Sequence, residues 1–209
     1  MNLMLDVIVV AATVLGSAMA YPQARKLIRT RCVDGVSAAW IGVSMALNAW
    51  WLSYAVAEHV WALAPVSATS LVLYSAIAVV FVKAGGRRRL PGVVGGIVSL
   101  GVVPLVALVA GGWPVAGLVI GLCYGVQLLP AVVESFRGSD LAGISAGTWI
   151  IALAEAALWL VYGLAVTDPA LIAGGASGVG MATLILARLA AAGYAPIGSV
   201  ISLRAAGAR

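Results

Sequence analysis

Two stretches of the sequence carry polar and aromatic side chains at intervals of three or four residues within otherwise apolar runs. The sets are Asn48, Trp51 and Tyr54 in the first stretch, and Glu155, Trp159 and Tyr162 in the second. In an α-helix this spacing places each set on one face. An indole can stack on the apolar face of a sugar or on an aromatic solute while its N–H donates a hydrogen bond. The two faces therefore predict a binding site for a small solute.

Glu155 is the residue with the sharpest chemical implication. More than ten uncharged residues flank it on each side. A charged group at that depth in an apolar helix is costly, so an ionisable residue there is a functional hypothesis by default. A carboxyl group in this place would suit proton coupling or cation binding. The alternative is a neutral Glu155 that is hydrogen-bonded to a neighbouring helix and has no role towards a solute.

Residues for enzyme chemistry are lacking. His59 is the single histidine, so neither a histidine-based metal cluster nor a catalytic triad can form. The glycines between residues 92 and 96 lack the strand and the lysine of a phosphate-binding loop. Cys32 and Cys123 are predicted to be unpaired thiols. We therefore predict no enzymatic activity, no metal and no cofactor.

The elements that position these residues are predicted to be membrane-spanning helices. The 209 residues are 63% hydrophobic and 9% charged, whereas about a quarter of a soluble domain is charged. Apolar runs of the length that crosses a bilayer, about 20 residues, recur at residues 7–21, 36–57, 60–82, 90–110, 113–133, 142–166 and 169–187. The runs are continuous, unlike the short alternating strands of a β-barrel. The predicted fold class is all-α, a polytopic membrane protein with seven transmembrane helices.

The charges predict an orientation. With the N-terminus outside, all 12 lysines and arginines fall in cytoplasmic segments, as the positive-inside rule requires. The outer loops then hold only Glu58, His59 and Asp168. The isoelectric point near 9.6 is therefore explained by the positive-inside topology of a protein in the cell membrane. The predicted partner is the lipid bilayer, and no nucleic acid is expected. Two other interpretations compete with seven uncleaved spans. One is an eighth helix over residues 189–203, but this segment is short for a span. The other is a cleaved leader that includes the first helix, but its start lacks the Lys or Arg that is typical of such leaders.

An internal repeat organises the chain. A shift of 108 residues aligns Pro22 to Tyr54 with Pro130 to Tyr162, with 10 of 33 positions identical. The predicted units are a first three-helix repeat (1–83), a linker helix (84–111), a second three-helix repeat (112–190) and a cytoplasmic tail (191–209). Because a single helix separates the copies, they are parallel, and solute sites in such folds lie between the repeats near the midplane.

The motifs in these repeats resemble a known family. Tyr21-Pro22-Gln23, Asp34-Gly35-Val36-Ser37 and Trp51-Leu52-Ser53-Tyr54 look like a PQ-loop signature, and Gln127-Leu128-Leu129-Pro130, Gly143-Ile144-Ser145 and Trp159-Leu160-Val161-Tyr162-Gly163 look like its second copy. Residues 5–190 thus resemble a bacterial seven-helix member of the SWEET/PQ-loop superfamily. The resemblance implies a facilitator or proton-coupled carrier of small solutes, often sugars, that works by alternating access.

The resemblance also assigns expected roles to single residues. Pro22 and Pro130 match hinge positions, and Gln23 completes the first motif; a static bend is the alternative for either proline. Tyr54 and Asp168 match an outer gate, with Tyr162 as the repeat counterpart of Tyr54. Asp168 also suits a helix N-cap before Pro169.

Further expected binding residues follow from the pattern of the family. Sugar-carrying members place an asparagine in each of helices 3 and 7, where this chain offers Ser67 and Ser70, and Gly175. The loss of both amides weakens the expectation of a sugar. The predicted binding set is Trp51, Trp159, Asn48, Glu155, Ser67, Ser70 and Gly175. For both tryptophans, packing or interfacial anchoring is the alternative.

Three functions are open at this point. The first is a carrier of a small neutral solute, with a sugar as first choice. The second is a proton-coupled carrier of an amino acid or a cationic solute, which Glu155 favours. The third is a membrane receptor or sorting adaptor on the same fold. Small residues at four-residue spacing, such as Gly117, Gly121 and Gly125, are expected to pack within the bundle, although a homo-oligomer is compatible with them.

Overall fold

The described residues form six α-helices. The computed structural model describes residues 3–30, 37–137, 141 and 144–193, without the side chains of residues 20, 22–24, 26–28 and 30. The helices are α1 (Leu3–Thr30), α2 (Ala38–Ala57), α3 (Ala64–Gly85), α4 (Leu90–Arg137), α5 (Ala146–Val166) and α6 (Pro169–Ala191). Within these described ranges there is no strand, which confirms the all-α class. The predicted tail beyond residue 193 lies outside the described residues.

Several helical segments could cross a membrane. Four are long and apolar enough by length and composition, namely Trp61–Gly85, Arg87–Arg137, Ala146–Val166 and Pro169–Ala191, and Leu3–Met19 is a shorter apolar segment. Large apolar side chains point outward, with exposed fractions of 68% at Val72 and 82% at Val109. An apolar exterior of this kind is compatible with contact to lipid.

The helix α4 is where the structure departs from the predicted helix count. The predicted runs 90–110 and 113–133 form one helix of 48 residues, interrupted at Gly112, whose φ is 71° and ψ −167°. A positive φ of this kind is tolerated by glycine because it has no Cβ. We call residues 90–111 the first arm of α4 and residues 113–137 its second arm. Seven separate transmembrane helices are thus not confirmed.

The predicted repeat counterparts Ser37 and Ser145 each begin a helix. Ser37 caps α2 by accepting a hydrogen bond from the backbone N–H of Trp40 at 3.2 Å. Its counterpart Ser145 caps α5 by accepting from the backbone N–H of Thr148 at 3.3 Å. A serine in this position satisfies one of the unpaired N–H groups of the first turn. The two repeat-equivalent helices therefore start in the same way.

Glycines let the helices approach one another closely. A Cβ added at Gly42 of α2 would collide with the backbone of α4 at Val93 and Gly96. On the second arm of α4, a Cβ added at Gly121 would lie 2.5 Å from the carbonyl oxygen of Ala170 and 2.8 Å from the backbone nitrogen of Gly174. These small residues pack within the bundle, where close helix contacts depend on them.

Candidate functional site

A cavity of about 170 Å³ lies inside the bundle and is lined by residues of α1, α2, α3, the second arm of α4, α5 and α6. The structure brings the whole predicted binding set to this cavity, namely Asn48, Trp51, Ser67, Ser70, Glu155, Trp159 and Gly175. The first arm of α4 contributes none of the lining residues. The cavity therefore lies between the two predicted repeats.

Glu155 is held by two neutral donors. Its Oε1 accepts a hydrogen bond from Nε1 of Trp159 at 3.1 Å, and its Oε2 accepts one from the hydroxyl of Tyr124 at 3.3 Å. Helix α1 approaches the same carboxyl group at Gly16, where an added Cβ would lie 2.9 Å from Oε1. The Trp159 bond runs along α5, whereas the Tyr124 bond joins α5 to the second arm of α4.

Tyr124 is a site residue that the sequence analysis missed. It lies 108 residues after Gly16, so the two occupy equivalent positions in the repeats. A lone tyrosine between Gly121 and Gly125 was the available signal, because small neighbours leave room for a phenol. Periodicity alone does not show that its hydroxyl meets Glu155.

Gln127 forms a polar contact between the two predicted repeats. Nε2 of Gln127 donates to the hydroxyl oxygen of Ser44 at 2.8 Å, and Ser44 is fully buried. The side-chain amide of Asn48 donates to the backbone carbonyl of Ser44, also at 2.8 Å. Asn48 thus bonds within α2, and Gln127 supplies the link between α2 and the second arm of α4. This link was not predicted.

The aromatic residues repeat their arrangement in both halves. The rings of Trp51 and Tyr54 meet edge to face at 6.2 Å, and those of Trp159 and Tyr162 do so at 6.0 Å. The Trp51 ring also lies against α6, where a Cβ added at Gly174 would be 3.1 Å from Cζ2. Both indoles border the cavity, as predicted, and both also pack against neighbours. Packing and solute contact are compatible roles for them.

Tyr54 and Asp168 form a contact between α2 and the start of α6. The Tyr54 hydroxyl donates to the Asp168 carboxylate, with oxygen distances of 3.1 and 3.2 Å. Asp168 also caps α6 by accepting from the backbone N–H groups of Ala170 at 2.8 Å and Leu171 at 3.0 Å. The N-cap and the inter-helix contact, which the sequence left as alternatives, thus occur together.

Tyr54 and Asp168 also line a second cavity, of about 380 Å³. Glu58, His59 and Tyr162 are among its other lining residues. We call it the outer vestibule, after the predicted outer loops that hold Glu58, His59 and Asp168. Neither Tyr54 nor Asp168 lines the cavity that holds Glu155, which we call the solute cavity.

Of the predicted hinge residues, only Pro130 has a described side chain, and it lines neither cavity. Pro130 lies within the second arm of α4 with an exposed side chain, and within α4 only Gly112 has non-helical torsions. Pro22 lies within α1, where the side chains of Pro22 and Gln23 are outside the described residues. Hinge roles for these residues stay predictions.

In the part of the chain that the structure describes, no group of three or more His, Cys, Asp or Glu side chains could hold a metal ion.

Comparison with models of known protein families finds no match, and comparison with curated proteins finds none either. The resemblance to the SWEET/PQ-loop superfamily therefore rests on the motifs in the sequence and stays a prediction.

Proposed function

We propose that this protein is a membrane carrier of a small solute that works by alternating access between two parallel three-helix repeats. In this proposal the two arms of α4 act as the fourth and fifth of seven transmembrane helices, and the first arm is the linker between the repeats. The observation that carries the proposal is the solute cavity, which residues of both predicted repeats line.

The lining of the solute cavity suits a small polar solute. It combines the indoles of Trp51 and Trp159 with the amides of Asn48 and Gln127 and the carboxyl group of Glu155. A mostly apolar wall with a few placed polar groups is typical of small-molecule sites. At about 170 Å³, the cavity is smaller than the roughly 300–1,000 Å³ of pockets for drug-sized ligands. A solute of monosaccharide size or less is therefore expected.

The Tyr54–Asp168 contact supports the alternating-access part of the proposal. Such a carrier needs a contact between its repeats that seals the site on one side and can be broken. The Tyr54–Asp168 contact joins α2 to α6 and lines the outer vestibule, and in this proposal it seals that end of the solute cavity. We assign this end to the outside of a plasma membrane, with the N-terminus outside and the C-terminus in the cytoplasm. The positive-inside pattern supports this orientation.

Sugars are the first solutes to test because the resemblance implies them and because indoles suit their apolar faces. Glu155 favours the second candidate, a proton-coupled carrier or a carrier of a cationic solute, because an intramembrane carboxyl group marks such pathways. A receptor or sorting adaptor is the remaining alternative. The fold alone does not decide among them.

The experiment is uptake into liposomes that contain the purified protein, with a panel of labelled sugars, amino acids and amines. The test variant is Ser70→Phe, which places a ring at a buried position in the wall of the solute cavity. The matched control is Ser53→Phe, which places the same ring at an exposed position on α2. We expect uptake to be lost in Ser70→Phe and kept in Ser53→Phe. Uptake that survives Ser70→Phe, or no uptake of any solute by the native protein, would contradict the proposal.

A further inference from the structure

The solute cavity contains an acid without a basic partner. Glu155 is the only charged side chain among its lining residues, and no Lys, Arg or His in the described part of the chain joins them. Both carboxyl oxygens accept hydrogen bonds from neutral groups, and the indole of Trp159 can only donate. These bonds orient the carboxyl group, and neither donor carries a charge that would balance an ionised Glu155. A buried charge without a partner is costly, so a cation that enters the cavity would be stabilised.

Aromatic rings surround the same space. Trp51, Tyr74, Tyr124 and Trp159 all line the solute cavity. The face of an aromatic ring carries partial negative charge and attracts a cation within about 6 Å of the ring centre, most strongly where water is excluded. Rings together with one carboxylate are the groups that bind a substituted ammonium ion, whose positive charge is spread over apolar substituents.

The outer vestibule, which the proposed function makes the entry to the solute cavity, has the same sign of charge. The outer vestibule is lined by the carboxyl groups of Glu58 and Asp168 and by His59, and the described lining has no Lys or Arg. The described basic side chains line neither cavity; they are Arg25, Arg29, Lys83, Arg87, Arg88, Arg89, Arg137 and Arg188. A cleft lined by one sign of charge raises the local concentration of the opposite ion. A cation is therefore favoured in the outer vestibule as well as in the solute cavity.

We propose that the solute is a compact organic monocation that carries a substituted ammonium group and no carboxylate. This inference rests on the proposed function, because it assumes that the solute cavity is the transport site. An amino acid would bring its own carboxylate close to Glu155, with no basic side chain in the described lining to receive it. A neutral sugar would leave the charge of Glu155 without a partner.

The test is isothermal titration calorimetry of the purified protein with three probes of nearly equal shape. Choline carries the quaternary ammonium group, its neutral isostere has carbon in place of the nitrogen, and betaine adds a carboxylate. We expect choline to bind, and the isostere and betaine to bind more weakly by roughly tenfold or more, because each loses or opposes the charge interaction. Equal binding of choline and its isostere would overturn the inference, and so would tighter binding of betaine or glucose.

Two variants keep the test specific to the site. Glu155→Gln removes the charge at nearly constant size and should abolish the preference for choline over its isostere. Glu134→Gln removes the same charge from an exposed position on α4 and should leave the preference intact. Trp51→Leu removes one ring without touching either bond to Glu155 and should weaken choline binding. A preference for choline that persists in Glu155→Gln would overturn the inference.

Flux measurements separate failure of the inference from failure of the proposed function. Choline uptake into liposomes that is lost in Glu155→Gln supports both. Uptake of sugars alone keeps the carrier and overturns the cationic solute. Choline binding that depends on Glu155, without flux of any solute, keeps the cation site and overturns the carrier. Absence of both binding and flux for every probe overturns both.

Discussion

The contact between Tyr54 and Asp168 offers the most direct test of the gating proposal. Tyr54→Phe removes one hydroxyl and leaves the ring in place. The Asp168 carboxylate keeps its bonds from the backbone N–H groups of Ala170 and Leu171, so the change leaves no buried charge without donors. The variant therefore removes the inter-helix bond and little else.

The expected effect can be worked from the geometry. The hydroxyl has one proton and lies 3.1 and 3.2 Å from the two Asp168 oxygens, so it counts as one shared hydrogen bond. A hydrogen bond to a charged group contributes about 1.5–3 kcal/mol. If the bond exists only while the outer end is closed, its loss raises the population with an open outer end by roughly tenfold to a hundredfold, because each 1.4 kcal/mol is about tenfold.

The assay measures access from outside to a cysteine placed below the contact. Leu63 is buried and lines the solute cavity. In a background without Cys32 and Cys123, Leu63→Cys is labelled with a membrane-impermeant thiol reagent on intact cells. We expect the labelling rate to rise by at least about tenfold when Tyr54→Phe is added.

The matched control is Tyr162→Phe. Tyr162 is the repeat counterpart of Tyr54 and also lines the outer vestibule, but its hydroxyl makes no hydrogen bond with the described residues. It should leave labelling of Leu63→Cys unchanged. An equal rise in both variants, or no rise in Tyr54→Phe, would refute the assignment of this contact as a gate.

Three further predictions concern stability, each measured by thermal unfolding of the purified protein in detergent. Gly121→Ala should lower the midpoint by an amount equivalent to about 1–3 kcal/mol, because its Cβ meets backbone atoms that cannot give way; Gly180→Ala, which meets open space, should not, and equal effects would contradict the packing. Gln127→Leu and Ser44→Ala should show a coupling free energy of about 0.5–1.5 kcal/mol in a double-mutant cycle. A coupling of zero would contradict a stabilising hydrogen bond between these two side chains. Asp168→Ala should destabilise α6 by about 0.5–2 kcal/mol more than Asp168→Asn, because asparagine keeps the cap; equal midpoints would refute the capping role.

Much of the helical architecture could be read from the sequence because hydropathy and helix signals are local. The apolar runs predict the helices, and Ser37 and Ser145 begin α2 and α5 as serines do at N-caps. The prediction was weakest where two runs join. The apolar runs on either side of Gly112 form one helix that is interrupted at that residue. Whether a glycine ends a helix or only bends it depends on the packing around it.

The sequence pattern pointed to residues that line the cavity, but not to their hydrogen-bond partners. The spacing on two helix faces identified Asn48, Trp51, Glu155 and Trp159, and all four line one cavity. The role of these residues towards a solute stays a prediction. The partners of Glu155 beyond its own helix were not predictable, because Tyr124 lies in a different helix and spacing along one helix cannot say which face of another it meets.

The sequence by itself determined the all-helical, apolar character of the chain and the periodic faces of α2 and α5, because these depend on residue type and on the pitch of a helix. Only the tertiary structure decided that Gly16 and Tyr124, equivalent in the repeat, contact the same carboxyl group, and that Gln127 reaches Ser44. The physical reason is that these contacts depend on where helices approach, and this is set by close packing at small residues rather than by the order of residues along either helix.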